Sequence, residues 1–219
     1  MKRALDIAVA GTVLAIGAPL LAVLAAAVKL DSKGPALFTQ TRVGRGMRPF
    51  QIVKLRTMTH GGNGSAVTAA GDPRITRVGA LLRKTKLDEL PQLWNVLRGE
   101  MSIVGPRPEV PKYVMYYREE WQRLFSVRPG LTDLASLVFR DEERLLELAH
   151  DRERAYTQVV MPMKLQLALE GLSRASVLDD LRVIARTALA VVRGGDPARD
   201  PVLSEAARRI EQLNREQWS

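Results

Sequence analysis

The chain contains no cysteine, so disulfides, thiolate nucleophiles and cysteine-based zinc sites are excluded. Aromatic residues make up only 5% of it, too few for the stacking platforms that single-stranded nucleic acid binders use. It has no P-loop pattern, no Gly-x-Gly-x-x-Gly fingerprint and no His-Glu-x-x-His motif. Its two histidines, His60 in a loop and His150 on a charged helical stretch, lack a metal-binding partner at a suitable spacing. Internal repeats and long low-complexity tracts are absent as well. What is there is a 219-residue chain, long enough for one compact domain with a core and a small appendage.

The net charge is +9 and it is unevenly placed. Residues 1–60 hold nine Lys/Arg against two acids, 61–107 hold seven against four, and 108–219 hold seventeen against eighteen. The first half therefore carries the attraction for a polyanion, whether lipid headgroup, nucleotide or nucleic acid.

Ile7 to Val28 is a run of 22 residues without a charged or amide side chain, and roughly 20 apolar residues suffice to span a hydrocarbon core. The run exceeds the ~7–15 residues of a signal-peptide core, which argues against a cleaved leader despite Lys2 and Arg3 before it. Pro19 sits near its middle, where it removes a backbone donor and crowds the preceding turn. The halves Ile7–Ala18 and Leu20–Val28 are each about 14–18 Å long as helix, half the thickness of the core. Cations flank both ends, Lys2 and Arg3 before and Lys29 and Lys33 after, and the positive-inside bias would keep both on one side. A hairpin broken at Ala18-Pro19 satisfies these observations, and so does a Pro-kinked spanning helix.

Ala36–Gln40 and Phe50–Val53 read as short strands separated by the turn-rich Val43-Gly44-Arg45-Gly46. Gly61-Gly62-Asn63-Gly64-Ser65 reads as an exposed, flexible loop. Ile75–Lys84 predicts a helix, and a second begins near Leu90-Pro91. Met101–Val104 predicts a strand running into Gly105-Pro106-Arg107-Pro108. Tyr113, Tyr117, Trp121 and Phe125 recur every four residues, one face of a helix that is either core or an aromatic interfacial anchor. Val177, Leu181, Ile184, Ala188 and Val192 form a second apolar stripe among arginines, a pattern suited to lying on an anionic membrane. From Asp196 the chain is charge-mixed, a terminal helix without catalytic content.

Asp88-Glu89 is the most pointed feature. Adjacent carboxylates repel, and their arrangement calls for cations or a helix N-terminus nearby; Arg83, Lys84 and Lys86 precede them and a helix follows. Such a pair, with room for water and phosphates, suits Mg²⁺ better than zinc, and a carboxylate can also attack phosphorus. A solvated helix-capping pair is the plain alternative. Arg107, held between Pro106 and Pro108, is presented from a stiff frame suited to phosphate clamping. Lys54, Arg56 and Arg140 could complete a cationic ring, and each taken singly could equally be a structural charge. One reading of the whole is a membrane-anchored, non-catalytic basic protein that binds nucleic acid or anionic lipid. An acidic pair amid the cations has no use in such a protein.

Pro35-Ala36-Leu37-Phe38 with Gln40, Arg42, Gly44 and Phe50, then Lys54-Leu55-Arg56-Thr57-Met58, resembles the bacterial sugar transferase domain of monotopic phosphoglycosyl transferases. The likeness continues through Leu87-Asp88-Glu89-Leu90-Pro91-Gln92-Leu93-Trp94-Asn95, Met101-Ser102-Ile103-Val104-Gly105-Pro106-Arg107-Pro108 and Arg128-Pro129-Gly130-Leu131-Thr132, covering the chain to about Gly194. It implies a helix-rich α+β protein: a re-entrant membrane helix-break-helix over residues 1–32, a compact α/β catalytic domain with interfacial amphipathic helices over 33–194, and a charged C-terminal tail or helix over 195–219. It implies transfer of a phosphosugar from a nucleotide sugar, usually a UDP-sugar, to polyprenyl (undecaprenyl) phosphate, the first membrane step of glycan assembly. UMP would leave as a covalent phosphosugar forms on the enzyme. Asp88 would be nucleophile and principal Mg²⁺ ligand, and Glu89 would assist with metal or proton. Arg83, Arg107 and Arg140 would bind phosphates with Lys54 nearby. The partners implied are the donor, the polyprenyl phosphate and the bilayer, with no nucleic acid, at the cytoplasmic face of a bacterial inner membrane. Members of the family can form homodimers; no heptad or seam in this chain decides that.

Two departures stand out. The break in relatives is Ser-Pro, whereas Ala18 offers no hydroxyl for freed backbone groups. After Gly130, relatives read Thr-Gly-Trp-Ala-Gln-Val-Asn-Gly-Arg, and this chain reads Thr132-Asp133-Leu134-Ala135-Ser136-Leu137-Val138-Phe139-Arg140. The arginine is retained in register and its neighbours are not, and donor specificity is expected to differ if this segment lies near the substrate.

Overall fold

The computed structural model describes residues 2–59, 68, 71–174, 176–193 and 200–216. The Gly61–Ser65 loop and His60 lie outside the described residues. The fold is helix-rich α+β, with ten α-helices and two small sheets among the described residues.

Helix α1 runs from Lys2 to Asp31 with Pro19 inside it and is long and apolar enough to cross a membrane. Its two ends are tied to the same domain. At the start, Arg3 donates to the Val96 and Leu97 carbonyls, and buried Asp6 accepts from Ser102 Oγ and the Ile103 amide. At the end, Arg56 donates to the carbonyls of Val28, Ser32 and Lys33, and Asp31 accepts from the Val78 amide. Arg56 thus supplies donors to the carbonyls of Ser32 and Lys33, just past the last turn of the helix.

Strands β1 (Leu37–Val43) and β2 (Pro49–Leu55) pair antiparallel with Gln40 opposite Ile52, longer than the expected strands but in their place. A short 3₁₀ turn, Arg45–Met47, joins them. Helix α2 spans Arg77–Thr85 and starts where Thr76 accepts a hydrogen bond from the Gly79 amide. Gly79 is required for its packing: a Cβ there would stand 2.0 Å from the Thr57 carbonyl oxygen. The chain leaves α2 through Lys86 in a left-handed conformation and enters the 3₁₀ turn Leu87–Glu89, then α3 (Gln92–Arg98).

Strand β3 (Ser102–Val104) pairs parallel with β4 (Gly130–Thr132), Ser102 opposite Gly130. The two backbones are so close that a Cβ on Gly130 would lie 2.1 Å from the Gly105 nitrogen. Between them come α4 (Pro111–Val114) and a 3₁₀ segment, Glu119–Ser126. The aromatic stripe is thus not one helix. Arg118, which leads into the 3₁₀ segment, has extended backbone, and the rings still meet: Tyr117 stacks on Phe125 at 5.5 Å and meets Trp121 edge-on at 6.0 Å. Tyr113 and Trp121 are buried, so the stripe serves the core.

The remaining chain is helical: α5 (Leu134–Val138), α6 (Glu142–Glu147), α7 (Arg152–Ala155), a wider π turn at Tyr156–Val160 running into α8 (Met161–Ser173), α9 (Val177–Arg193) and α10 (Pro201–Glu216). Their main core gathers Phe139, Leu146, Val160 and Leu165 with Leu203, Ala206 and Ile210 of α10, which is therefore packed rather than trailing. Two smaller cores hold α1: Ala10 with Ile52, Leu93, Val96 and Ile103, and Val28 with Leu55 and Leu82. On α9, Val177, Leu178, Leu181 and Leu189 remain exposed, while Ile184 packs inward.

Candidate active site

The 3₁₀ turn brings Asp88 to the protein interior, 7% exposed. Its Oδ1 is buried and has no hydrogen-bond partner. Burial raises the Asp88 pKa, and the neighbouring Glu89 charge adds to this, against the cations Lys54, Lys86 and Arg83. The turn is fixed by Lys86, whose ammonium donates to the Arg140 carbonyl at 3.1 Å.

Glu89 points to a different neighbourhood. Arg107 grips it with two nitrogens, Nη1 to Oε2 at 3.0 Å and Nη2 to Oε1, and Lys54 Nζ donates to Oε1 at 3.1 Å. Burial alone would push the Glu89 pKa up; the Arg107 and Lys54 charges outweigh it and hold the carboxyl well below its usual range. The Glu89 charge in turn raises the pKa of Arg107, and burial lowers that of Lys54 with Glu89 opposing. The two adjacent acids are thus unlike: one is an ion-paired anchor, the other a nearly bare oxygen facing positive charge. Titratable pairs separated in this way divide chemical roles between them.

The Gly105–Pro108 turn is itself held from behind. Arg42 donates to the Pro108 carbonyl at 3.0 Å and pairs with Glu109, which accepts from the Tyr156 hydroxyl. Beyond Arg107 lies a second ion pair, Lys164 to Glu142 at 2.7 Å, in which Glu142 titrates low because Lys164 and Arg107 overcome its burial.

Of the residues expected at the site, Asp88, Glu89, Lys54 and Arg107 come together. Arg83 lies near enough for its charge to act on Asp88, while its guanidinium pairs with Glu143 and donates to Thr57 Oγ1. Arg140 lies on the same side, but its guanidinium is turned to the Ala190 and Lys84 carbonyls. Arg56 is elsewhere: 4% exposed, it caps the end of α1 with its guanidinium on backbone carbonyls. Ala18 and Pro19 lie within α1, away from these charges along the chain. Lys86 was named only as a flanking cation, and Glu109 and Glu142 were missed. Glu109 follows the Pro106-Arg107-Pro108 frame and could have been sought there, whereas nothing local marks Glu142.

A Mg²⁺ ion fits the free oxygen of Asp88. At Glu89 both oxygens already accept from Arg107 or Lys54, which makes Asp88 the freer ligand of the two. Among the described residues no three His, Cys, Asp or Glu side chains gather as a metal cage. An ion here would complete its shell from phosphate oxygens and water, as Mg²⁺ commonly does.

The chain is 45% identical over 193 residues to the UDP-glucose:undecaprenyl-phosphate glucose-1-phosphate transferase of Caulobacter vibrioides, covering 85% of this chain and 67% of that protein. It is 41% identical over 143 residues to the UDP-N-acetylgalactosamine-undecaprenyl-phosphate N-acetylgalactosaminephosphotransferase of Aeromonas hydrophila, covering 63% of this chain and 34% of that protein. It is 44% identical over 146 residues to the exopolysaccharide production protein PSS of Rhizobium leguminosarum bv. phaseoli, covering 63% of this chain and 73% of that protein. The chain thus spans two thirds of the first relative and about a third of the second. None of these relatives supports a non-catalytic polyanion binder. The model of the bacterial sugar transferase family matches residues 1–194, and the chain belongs to that family.

Proposed function

We propose that the protein transfers a sugar phosphate from a UDP-sugar to undecaprenyl phosphate, through a covalent intermediate on Asp88. The observation that carries this reading is the unpartnered, buried Asp88 oxygen set among Lys54, Lys86 and Arg83, with Arg107 also feeling its charge. A carboxylate so placed can attack the β-phosphorus of the donor. The new bond joins Asp88 oxygen to phosphorus, the bond from phosphorus to the UMP oxygen breaks, and UMP leaves with the electron pair. An oxygen of undecaprenyl phosphate then attacks the same phosphorus and Asp88 departs as carboxylate, leaving an undecaprenyl diphosphosugar. Mg²⁺ held by Asp88 and phosphate oxygens would draw charge from the transferring group. Glu89 keeps Arg107 and Lys54 aimed at the site, and Lys86 adds positive charge where the diphosphate develops negative charge.

The membrane reading rests on α1. Both of its ends are held by one domain, which supports a reading in which they stay on the same side of a bilayer, the helix bending at Ala18-Pro19 to dip in and return. The exposed apolar residues of α9 would rest on the same cytoplasmic face of the inner membrane.

The test is mass spectrometry of detergent-solubilised protein after brief incubation with UDP-sugars and Mg²⁺, wild type beside Asp88→Asn. A phosphosugar adduct on Asp88, absent in the variant and discharged by polyprenyl phosphate, is expected. UMP release without any trappable adduct would reject the covalent route, and silence with every UDP-sugar would reject the donor class.

A further inference from the structure

Asp88 Oδ1 is not the only buried polar atom without a partner on its segment. Four residues on, Gln92 is 1% exposed, and its side-chain Nε2 is likewise buried and unbonded. The chain between them does not break. Leu90 and Pro91 hold right-handed helical angles, φ −53° and −61°, so the Asp88 turn runs directly into α3. Residues three and four apart on such a run are neighbours on one face. Here that face looks at β2. At one end Asn95 donates to the Gln51 carbonyl at 2.7 Å and accepts from the Val53 amide at 3.2 Å. At the other stands Asp88, on which the charge of Lys54, the next residue of β2, acts. Gln92 lies between the two, whereas Trp94, off that face, is 54% exposed.

The two unpartnered atoms are complementary, an acceptor on Asp88 and a donor on Gln92, yet they do not bond to each other. A cation would satisfy Asp88 and leave Gln92 unanswered. A phosphoryl group answers both, since its phosphorus takes the carboxylate and its oxygens accept from the amide. Building on the function proposed above, we infer that Gln92 is a further catalytic residue, whose carboxamide donates a hydrogen bond to a phosphoryl oxygen as the Asp88 oxygen bonds to phosphorus. No proton is transferred: the amide keeps its hydrogens and meets the charge on the phosphoryl oxygens. Being neutral, it leaves the Asp88 carboxylate free to attack, where one more cation in contact would tie it down. The contact closes only when phosphorus reaches Asp88, so it speeds the transfer without tightening donor binding.

The test follows the first half-reaction alone. Wild type, Gln92→Met and Gln92→Glu are mixed rapidly at pH 8 with Mg²⁺ and UDP-glucose, and separately with UDP-N-acetylgalactosamine, without acceptor. The adduct on Asp88 is followed by quenching and mass spectrometry. Its rate constant, unlike its amplitude, does not depend on how much of each sample is folded. Methionine keeps the length of the side chain and removes the donors; a glutamate carboxylate keeps the shape and removes them too. Both variants are expected to lower the maximal rate by about a hundredfold, the usual effect of losing one such donor. The donor concentration at half-maximal rate is expected to stay unchanged. Gln92→Met is expected to melt no lower than wild type, because an apolar group replaces an amide that has no partner.

An unchanged rate constant in either variant overturns the inference. So does a loss of rate that saturating donor restores, which would place Gln92 in donor binding. A rate that falls in step with the melting temperature of both variants assigns the amide to packing and overturns it as well. If wild type forms the adduct and the variants form it as fast, this inference fails alone. If wild type forms none with either donor, the covalent reading fails first and this inference falls with it.

Discussion

Arg107 closes on Glu89 with one terminal nitrogen on each carboxylate oxygen, which ties the Gly105–Pro108 turn to the turn that carries Asp88. The two halves of the site come from segments joined through α3 and β3, and this pair is where they meet.

Arg107→Ala leaves Glu89 with Lys54 as its remaining cation, and should cost about 3 kcal/mol, the low end for breaking a buried pair given partial exposure. Arg107→Lys retains charge but loses the two-nitrogen fork, and should fall between. Urea denaturation midpoints measure both. An Arg107→Ala protein as stable as wild type would show that the pair contributes no net stability.

Asp88→Asn should abolish turnover while leaving the melting temperature at pH 8 unchanged or higher. Burial holds the Asp88 pKa above its ordinary value, so its contribution to stability is fullest at low pH and is lost as pH rises through that raised pKa. A neutral side chain avoids the loss. A clear drop in melting temperature would mean that the carboxylate is a structural partner.

The acid limb of activity should sit above the ordinary aspartate pKa of 3.8, because the nucleophile must be ionised and its pKa is raised. Stability carried by Glu89 behaves oppositely. Its pKa is depressed, so that contribution is present above 4.5 and disappears as pH falls through the lower folded value. The stability gap between wild type and Glu89→Gln should therefore narrow only below pH 4.5. Denaturation curves at stepped pH would show it, and a gap that closes on raising the pH instead would contradict the assigned direction.

Arg56→Ala removes the donor that holds three backbone carbonyls at the end of α1, and should cost about 3 kcal/mol without raising KM for the donor per folded site. Raised donor KM with unchanged stability would return Arg56 to the ligand.

Much of this was legible beforehand where the governing physics is local. The β1–β2 hairpin showed in its strand composition and Gly-rich turn, α2 in its periodicity, and the special character of Asp88-Glu89 in two like charges side by side among cations. The opposite fates of those two acids were not legible, because Arg107 reaches Glu89 from 18 residues away and leaves Asp88 alone. Basic residues were the hardest to place. Arg56 and Arg140 bond to backbone carbonyls, and carbonyls carry no sequence signature. The Tyr113–Phe125 stripe had helical spacing, yet the chain bent at Arg118 and the ring contacts survived the bend.

The bond between Asp6 and its partners also fixes an order of events during synthesis. Ser102 and Ile103 lie 96 and 97 positions further along, so the ribosome needs on the order of ten seconds to deliver them after Asp6. Throughout that interval the start of α1 exists without the partners that hold it, while Arg56 and Val78 for its far end are already made. Until Ser102 and Ile103 arrive, the Asp6 carboxylate lacks the donors that accompany its burial.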